Sequence, residues 1–368
     1  VAAAIPLILA SSVEHTIFEG MSSDGKDARS EAIRRIRGQR KQSSPQQLFA
    51  DLHAGNRNAL AKAITLVESS RQEDLDVSAD LLELCMPHAG NARRIGITGV
   101  PGVGKSTFIE TFGNLLIEKG EKVAVLAVDP SSQRSRGSIL GDKTRMELLS
   151  RNPEAFIRPS PAADTLGGVA RATRESILLC EAAGFTTIIV ETVGVGQSET
   201  TVYGMVDFFL LLMLSGAGDE LQGIKRGIME MADTLLITKA DGDNVRPAQH
   251  ARRQYKTALH LYPETEKGWS PEVEVCSALE KSGFEDFMKI LDRYFELVAS
   301  NGWLQKHRSE QALEWFHDAL RLELLRNISN NQSMHQKLLT IEAKVRDGLM
   351  SPFVGARKLA DEWSAQST

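Results

Sequence analysis

Two hydrophobic rhythms divide the chain. Between residues 45 and 90, apolar positions recur at the spacing that gathers side chains on one face of a helix. A short helix is expected at 46–53 and is broken by Gly55-Asn56. Ala59, Ala63, Leu66 and Val67 mark the next helix, and Leu81, Leu84 and Cys85 mark a third that starts after Ser78. From Arg94 the pattern becomes short apolar runs alternating with amphipathic segments. Strands are expected at 94–98, 122–128, 155–158, 186–191, 206–214, 233–238 and 272–276, and helices at 105–119, 143–150, 168–183, 224–231, 244–260 and 283–299. A run such as Val123-Ala124-Val125-Leu126-Ala127-Val128 has no polar face, so it must be covered on both sides. That describes a mostly parallel sheet between helical layers. From Asn301 the pattern is helical again. Leu313, Phe316, Leu320 and Leu324 form one stripe that Trp315 and Leu322 widen, and helices near 333–347 and 352–364 follow. Such a tail buries its apolar side either by folding back on the sheet domain or by docking on another subunit.

The expected organisation is an α/β protein with an N-terminal helical cap and a C-terminal helical extension. Residues 1–44 form a poorly defined segment, 45–92 the cap helices, 93–300 the sheet domain, and 301–368 a helical region suited to dimerisation. In the first segment, Ala2 to Ala10 is apolar but lacks a basic flank and is too short to span a bilayer. The chain begins with Val, and Met21 follows. Either Met21 is the physiological start or the chain is a fragment. No secretory or mitochondrial presequence is read there, and residues 38–44 read as a polar linker or mobile arm. Composition adds little to the picture. With 42% hydrophobic and 25% charged residues and a net charge of −5, nothing asks for nucleic acid or a membrane as partner. The three cysteines, Cys85, Cys180 and Cys276, stand apart in apolar contexts, as buried thiols of a reducing compartment do. No Cys/His spacing resembles a zinc site.

The chemistry starts at residues 95–108, Ile-Gly-Ile-Thr-Gly-Val-Pro-Gly-Val-Gly-Lys-Ser-Thr-Phe. An apolar strand runs into Gly99-x4-Gly104-Lys105-Ser106, and a helix begins at once, which is the phosphate-binding P-loop. Gly99, Val100, Pro101, Gly102, Val103 and Gly104 bring backbone N–H groups against phosphate oxygens, and the helix adds the positive end of its dipole. Lys105 reaches the β- and γ-phosphates. Ser106 ligates Mg²⁺, and Thr107 completes the first turn. Ligands of parallel sheets sit beyond the strand C-termini, so the later loops should complete the site.

They carry suitable residues in order. Asp129 ends the second strand and can hold Mg²⁺ directly or through water. Asp142 begins a helix, where it is either a further Mg²⁺ residue or a helix cap. Glu191 closes an apolar strand at the Walker-B position, and Gly194 lets a backbone N–H approach the γ-phosphate. In the flexible segment that follows, Gln197 is a candidate to orient the attacking water. The Gly-rich loop 215–225 ends in Lys225, which with Arg226 either neutralises phosphate charge or pairs with Asp219 and Glu220. Thr238-Lys239-Ala240-Asp241 is close to Asn-Lys-x-Asp, the guanine-reading element. A carboxylate at Asp241 accepts from guanine N1–H and its 2-amino group, which adenine does not offer, while the Lys239 stem covers the base. Thr stands at 238 where Asn usually braces the P-loop. Ser277-Ala278-Leu279 matches the element whose backbone N–H meets guanine O6. GTP is therefore expected over ATP.

Four strings together carry a resemblance: Asp129-Pro-Ser-Ser, residues 137–146 (Gly-Ser-Ile-Leu-Gly-Asp-Lys-Thr-Arg-Met), residues 191–199 (Glu-Thr-Val-Gly-Val-Gly-Gln-Ser-Glu) and residues 218–225 (Gly-Asp-Glu-Leu-Gln-Gly-Ile-Lys). With them the chain resembles the MeaB/ArgK family of SIMIBI-class P-loop GTPases from about Gln47 to Trp363. The resemblance implies a Mg²⁺-dependent GTPase, homodimeric through its C-terminal helices. It also implies a chaperone of adenosylcobalamin-dependent methylmalonyl-CoA mutase, loading or protecting its cofactor without binding cobalamin itself. It carries over Lys105 and Ser106 as P-loop ligands, Asp129, Asp142 and Glu191 as the acidic residues around Mg²⁺, and Lys225 as the basic end of a switch. With Gly194 from the reading above, the candidate catalytic set is Lys105, Asp142, Glu191, Gly194 and Lys225, and the metal set is Ser106, Asp129, Asp142 and Glu191. The 215–225 loop corresponds to an extra switch. The implied compartment is the cytoplasm, or the mitochondrial matrix in a eukaryote. Two other readings share the fold: a nickel-type metallochaperone, which should carry a His-rich tract or Cys pair, and an ATPase or kinase of arginine transport, against which Asp241 argues.

Overall fold

The computed structural model describes residues 44–69, 71–129, 146–159, 166–193, 198–216, 226–259 and 265–366. All seven expected strands form: β1 (Arg93–Gly99), β2 (Val123–Val128), β3 (Ala155–Arg158), β4 (Thr187–Thr192), β5 (Phe208–Met213), β6 (Thr234–Ile237) and β7 (Glu272–Val275). They make one sheet in the order β3-β2-β4-β1-β5-β6-β7, and every pairing is parallel. β1 is therefore central, and the C-terminal ends of the strands all lie on one rim.

Alternate residues of each strand feed different layers, as the pleat requires. On β2, Ala124, Leu126 and Val128 face one core cluster while Val123 and Val125 face another. The first cluster is covered by α1 (Pro45–His53), α2 (Arg57–Val67), α3 (Gln72–Cys85) and α6 (Leu166–Ala182). Ser44 caps α1 and Asn56 caps α2 through side-chain oxygens, which explains the break at Gly55. The expected start of α3 at Ser78 is corrected. The helix begins at Gln72, and Ser78 lies inside it on the buried face, its hydroxyl donating to the Leu75 carbonyl at 2.8 Å. An interior Ser bonded to its own backbone mimics a cap in sequence. The cap helices are tied to the sheet layer by His53 to Ala182 O at 3.0 Å and by the Arg158–Glu68 ion pair.

The opposite layer contains α4 (Lys105–Glu118), α5 (Glu147–Arg151) and α10 (Phe284–Ser300). Phe108, Phe112, Phe284 and Phe287 pack through stacked and edge-to-face ring pairs at centroid separations of 5.2–5.8 Å, locking the helix after the P-loop to α10. Two short helices, α7 (Ser198–Tyr203) and α8 (Arg226–Met231), flank β5, and α9 (Val245–Leu259) covers β6 and β7. Cys85, Cys180 and Cys276 are buried free thiols. Burial pushes the Cys85 thiol up to about 11 and the Cys276 thiol up to about 12.

The tail comprises α11 (Trp303–Asn330), α12 (Gln332–Arg346) and α13 (Pro352–Gln366). Of the two expectations for it, folding back on the sheet domain is what the start of α11 does. Its first turns are anchored on the sheet domain: Arg308 pairs with the fully buried Asp207 carboxylate, Gln311 Nε2 donates to Val206 O at 2.9 Å, and Trp315 Nε1 donates to Gly204 O at 3.1 Å. The stripe of Leu313, Phe316, Leu320 and Leu324 instead stays open, each residue 43–59% exposed. Among the described residues, no helix is long and apolar enough to cross a membrane.

Candidate nucleotide site

β1 ends at Gly99 and α4 starts at Lys105, so the P-loop occupies the central strand's outlet. At Gly99 the backbone has φ 155°, and a Cβ would lie 2.6 Å from the Leu212 carbonyl on β5, so only glycine fits. Gly104 precedes α4 at φ 98° and no side chain caps that helix, which leaves its first amides for an anion. Val103 is fully buried and pins the loop into the core.

Lys105 Nζ donates to the Gly99 carbonyl at 2.7 Å. Burial lowers its pKa, and the charges of Glu191 and then Glu199 oppose that shift. It is a partly desolvated cation at the loop's mouth, suited to phosphate oxygens. Ser106 follows it at the start of α4, half-buried, and Thr107 is exposed. Glu191 on β4 lies in register with Ile97 of β1 and Ala127 of β2, and Asp129 follows β2 directly. Pairing continues past the strands, since Val193 N donates to Val128 O at 2.9 Å and Thr192 Oγ1 donates to Thr98 Oγ1 at 2.9 Å. Asp129 and Glu191 are 7% and 5% exposed. A hydroxyl and two buried carboxylates beside a phosphate loop are hard oxygen donors. They fit Mg²⁺, which takes one or two protein carboxylates and completes its shell with phosphate and water. No group of three such carboxylate, His or Cys side chains converges among the described residues, and a metal bound in this way does not require one.

The base end is built from β6 and β7. Thr238, buried at the end of β6, sends its hydroxyl to Val103 O at 2.7 Å, with Met213 O at 3.2 Å. The P-loop brace expected of Asn is thus made by Thr. Lys239 stands at φ 56°, and its Nζ donates to Gly102 O at 2.8 Å, spanning from the base loop to the phosphate loop. Ala240 N donates to Cys276 O at 3.0 Å, and Ser277 Oγ donates to Asp241 Oδ2. Ser277 also pairs through its backbone with Ser282, which shapes the turn carrying Ala278 and Leu279. Leu279 is 84% exposed on that rim.

Gly99 to Thr107, Asp129, Glu191, Thr238, Lys239, Asp241 and residues 277–279 therefore meet along one edge. Asp142, Gly194, Gln197, Asp219, Glu220 and Lys225 lie outside the described residues. Three residues of this edge were not assigned roles from sequence. Glu199 is buried in α7 with its charge acting on Lys105. Ser215 Oγ donates to Asn244 Oδ1, and Asn244 Nδ2 donates to Lys239 O at 2.6 Å. A polar amide three residues past Asp241, at the start of a helix, was the available signal.

Comparison with known proteins agrees with this geometry. Residues 60–333 match the family described as "Methylmalonyl Co-A mutase-associated GTPase MeaB". The chain is 47% identical to "GTPase ArgK" of Escherichia coli over 310 residues, covering 84% of this chain and 94% of that protein. It is 43% identical over 316 residues to the mouse "Methylmalonic aciduria type A homolog, mitochondrial", covering 83% and 76%. Among solved structures, one described as "LAO/AO transport system kinase" is 40% identical with a TM-score of 0.68, covering 88% of this chain and 99% of its own. The all-parallel sheet, the P-loop at its centre and these matches lead to one conclusion: the chain belongs to the MeaB family of P-loop GTPases.

Proposed function

We propose that this chain is a Mg²⁺-dependent GTPase that acts as a chaperone of adenosylcobalamin-dependent methylmalonyl-CoA mutase, its nucleotide state gating cofactor loading and protection. The observation that carries the nucleotide reading is the joined rim. The Asp241 carboxylate is steadied by Ser277, and Thr238 and Lys239 tie the base loop directly to the P-loop. The mutase reading is supported by the family match and the name of the mouse relative.

In this account GTP lies with guanine against Asp241 and the Lys239 stem and its phosphates in the P-loop. Lys105 exchanges the Gly99 carbonyl for β- and γ-phosphate oxygens, offsetting charge as the bond to the leaving GDP lengthens. Ser106, Asp129 and Glu191 would hold Mg²⁺, which would supply positive charge to offset that of the phosphates. Water attacks the γ-phosphorus in line, and Gly194 and Lys225 supply a backbone donor and a cation from the adjoining loops. Asp142 completes the acidic set. No described residue is placed as a strong general base, so intrinsic turnover is slow and rises with the partner. The open α11 stripe supports a homodimer in which a second copy covers Leu313 and Phe316.

Phosphate release tests the enzymatic half. GTP should be hydrolysed slowly, only with Mg²⁺, and faster when the mutase is added. ATP turned over as well as GTP, or turnover unchanged by chelation of the metal, contradicts it.

A further inference from the structure

We propose that Asn244 is a positioning residue for guanine recognition, holding the peptide between Lys239 and Ala240 so that the Lys239 stem and the Asp241 carboxylate are both preset for the base. The inference rests on the reading that Asp241 contacts guanine, and it adds a residue with no part in the Asn-Lys-x-Asp element itself.

Lys239 adopts the left-handed backbone region at φ 56°, which a residue bearing a Cβ occupies only when its surroundings hold it there. The bond that fixes the carbonyl of that residue comes from Asn244, whose Nδ2 lies 2.6 Å from Lys239 O. Asn244 is itself oriented at both ends. Its backbone N–H donates to Asp241 O at 3.0 Å, closing the turn Gly242–Asn244 that opens into α9. Its side-chain oxygen accepts from Ser215 Oγ, at the end of the segment that leaves β5. With the oxygen engaged by a hydroxyl donor, the amide must present its N–H₂ to Lys239, so the direction of the amide is set by its partners. Backbone dihedrals at Lys239 steer everything downstream of it. If the residue relaxes to negative φ, the Asp241 carboxylate swings away from the Ser277 hydroxyl, and the Lys239 ammonium leaves Gly102 O. The chain Ser215–Asn244–Lys239–Gly102 thus runs from the β5 outlet through the base loop to the P-loop, and Asn244 holds the carbonyl end of the Lys239–Ala240 peptide while Cys276 O holds its N–H end at 3.0 Å.

This role has a signature that general weakening does not share. Inosine diphosphate lacks the 2-amino group that donates to the Asp241 carboxylate, so the ratio of GDP to IDP affinity reports how well that carboxylate is aimed. The experiment measures both affinities by competition with a fluorescent guanine nucleotide for wild type, Asn244→Ala and Ser215→Ala. Thermal melting accompanies each to establish that the variants are folded. Asn244→Ala is expected to cut the GDP/IDP ratio about tenfold, the scale of one well-made hydrogen bond. Ser215→Ala, which frees the amide to rotate without removing it, should shift the ratio in the same direction by less. If Asn244→Ala does not fold, the Ser215→Ala ratio decides. A preserved ratio in the folded variants, including equal loss for both nucleotides, overturns the positioning role while leaving Asp241 as the guanine reader. A wild-type protein with no preference for GDP over IDP overturns both.

Discussion

Replacing Thr238 by Val tests whether this chain's departure from Asn-Lys-x-Asp is a working substitute. The two side chains have nearly the same shape, so the change removes a hydroxyl and little else. In the structure that hydroxyl lies 2.7 Å from Val103 O and 3.2 Å from Met213 O. Met213 O keeps a donor after the change, because Thr238 N also bonds it at 2.9 Å. Val103 O loses its Thr238 donor at a buried site, a penalty of about 1–3 kcal/mol. Since Val103 belongs to the P-loop, roughly 1.4 kcal/mol of lost preorganisation corresponds to tenfold weaker GDP binding. Thr238→Ser separates hydrogen bonding from packing. It keeps the hydroxyl and loses a buried methyl worth about 1 kcal/mol of stability. The assay is GDP affinity by fluorescence titration alongside thermal melting. Ser should bind GDP within about twofold of wild type despite a lower melting temperature, while Val should bind about tenfold more weakly. If Val binds as tightly as wild type, or if Ser and Val lose affinity together, the brace argument is wrong.

Two further outcomes follow from charges buried under α11. Asp207 is fully buried and receives Arg308 Nε at 2.9 Å and Arg94 N at 2.9 Å, so Arg308→Ala should cost about 3–5 kcal/mol in urea unfolding, and a loss below about 1 kcal/mol contradicts the anchor. Burial pushes Glu175 up from 4.5 to about 7 against the pull of Arg171 and Arg326. The folded chain therefore binds this proton more tightly than the unfolded one, and the stability it contributes is fully present below pH 4.5 and lost as pH rises through 7. Glu175→Gln removes the penalty and should stabilise by about 1–3 kcal/mol at pH 8 and clearly less at pH 5. An equal gain at both pH values refutes the assignment.

The fold was legible because buried parallel strands write themselves as unbroken apolar runs, and Val123 to Val128 is covered on both sides as that pattern demands. Strand ends were legible where Gly, Asp or Glu punctuated a run, which placed Gly99, Asp129 and Glu191 on one rim. Ser78 misled because a Ser bonded to a carbonyl within its helix has the composition of a cap without the position. Thr238 looked like a weakened motif, since residue type does not reveal that β6 brings its hydroxyl onto the Val103 carbonyl, 135 residues away in sequence. Asn244 carried only its place three residues past Asp241 as a signal, and its role depends on β5 and β6 lying side by side. The α11 stripe predicted an apolar face correctly, but periodicity cannot tell which turns fold back. Arg308 and Gln311, outside the stripe, and Trp315, on its widened edge, do so through polar contacts.

The central claim is that nucleotide sensed at the rim is communicated to a mutase. Its most direct test is equilibrium binding of this chain to purified adenosylcobalamin-dependent methylmalonyl-CoA mutase with a non-hydrolysable GTP analogue, with GDP, and with no nucleotide. The account predicts a complex whose affinity differs between these states, with the difference abolished in Lys105→Ala. No complex in any state, or one indifferent to nucleotide, contradicts it.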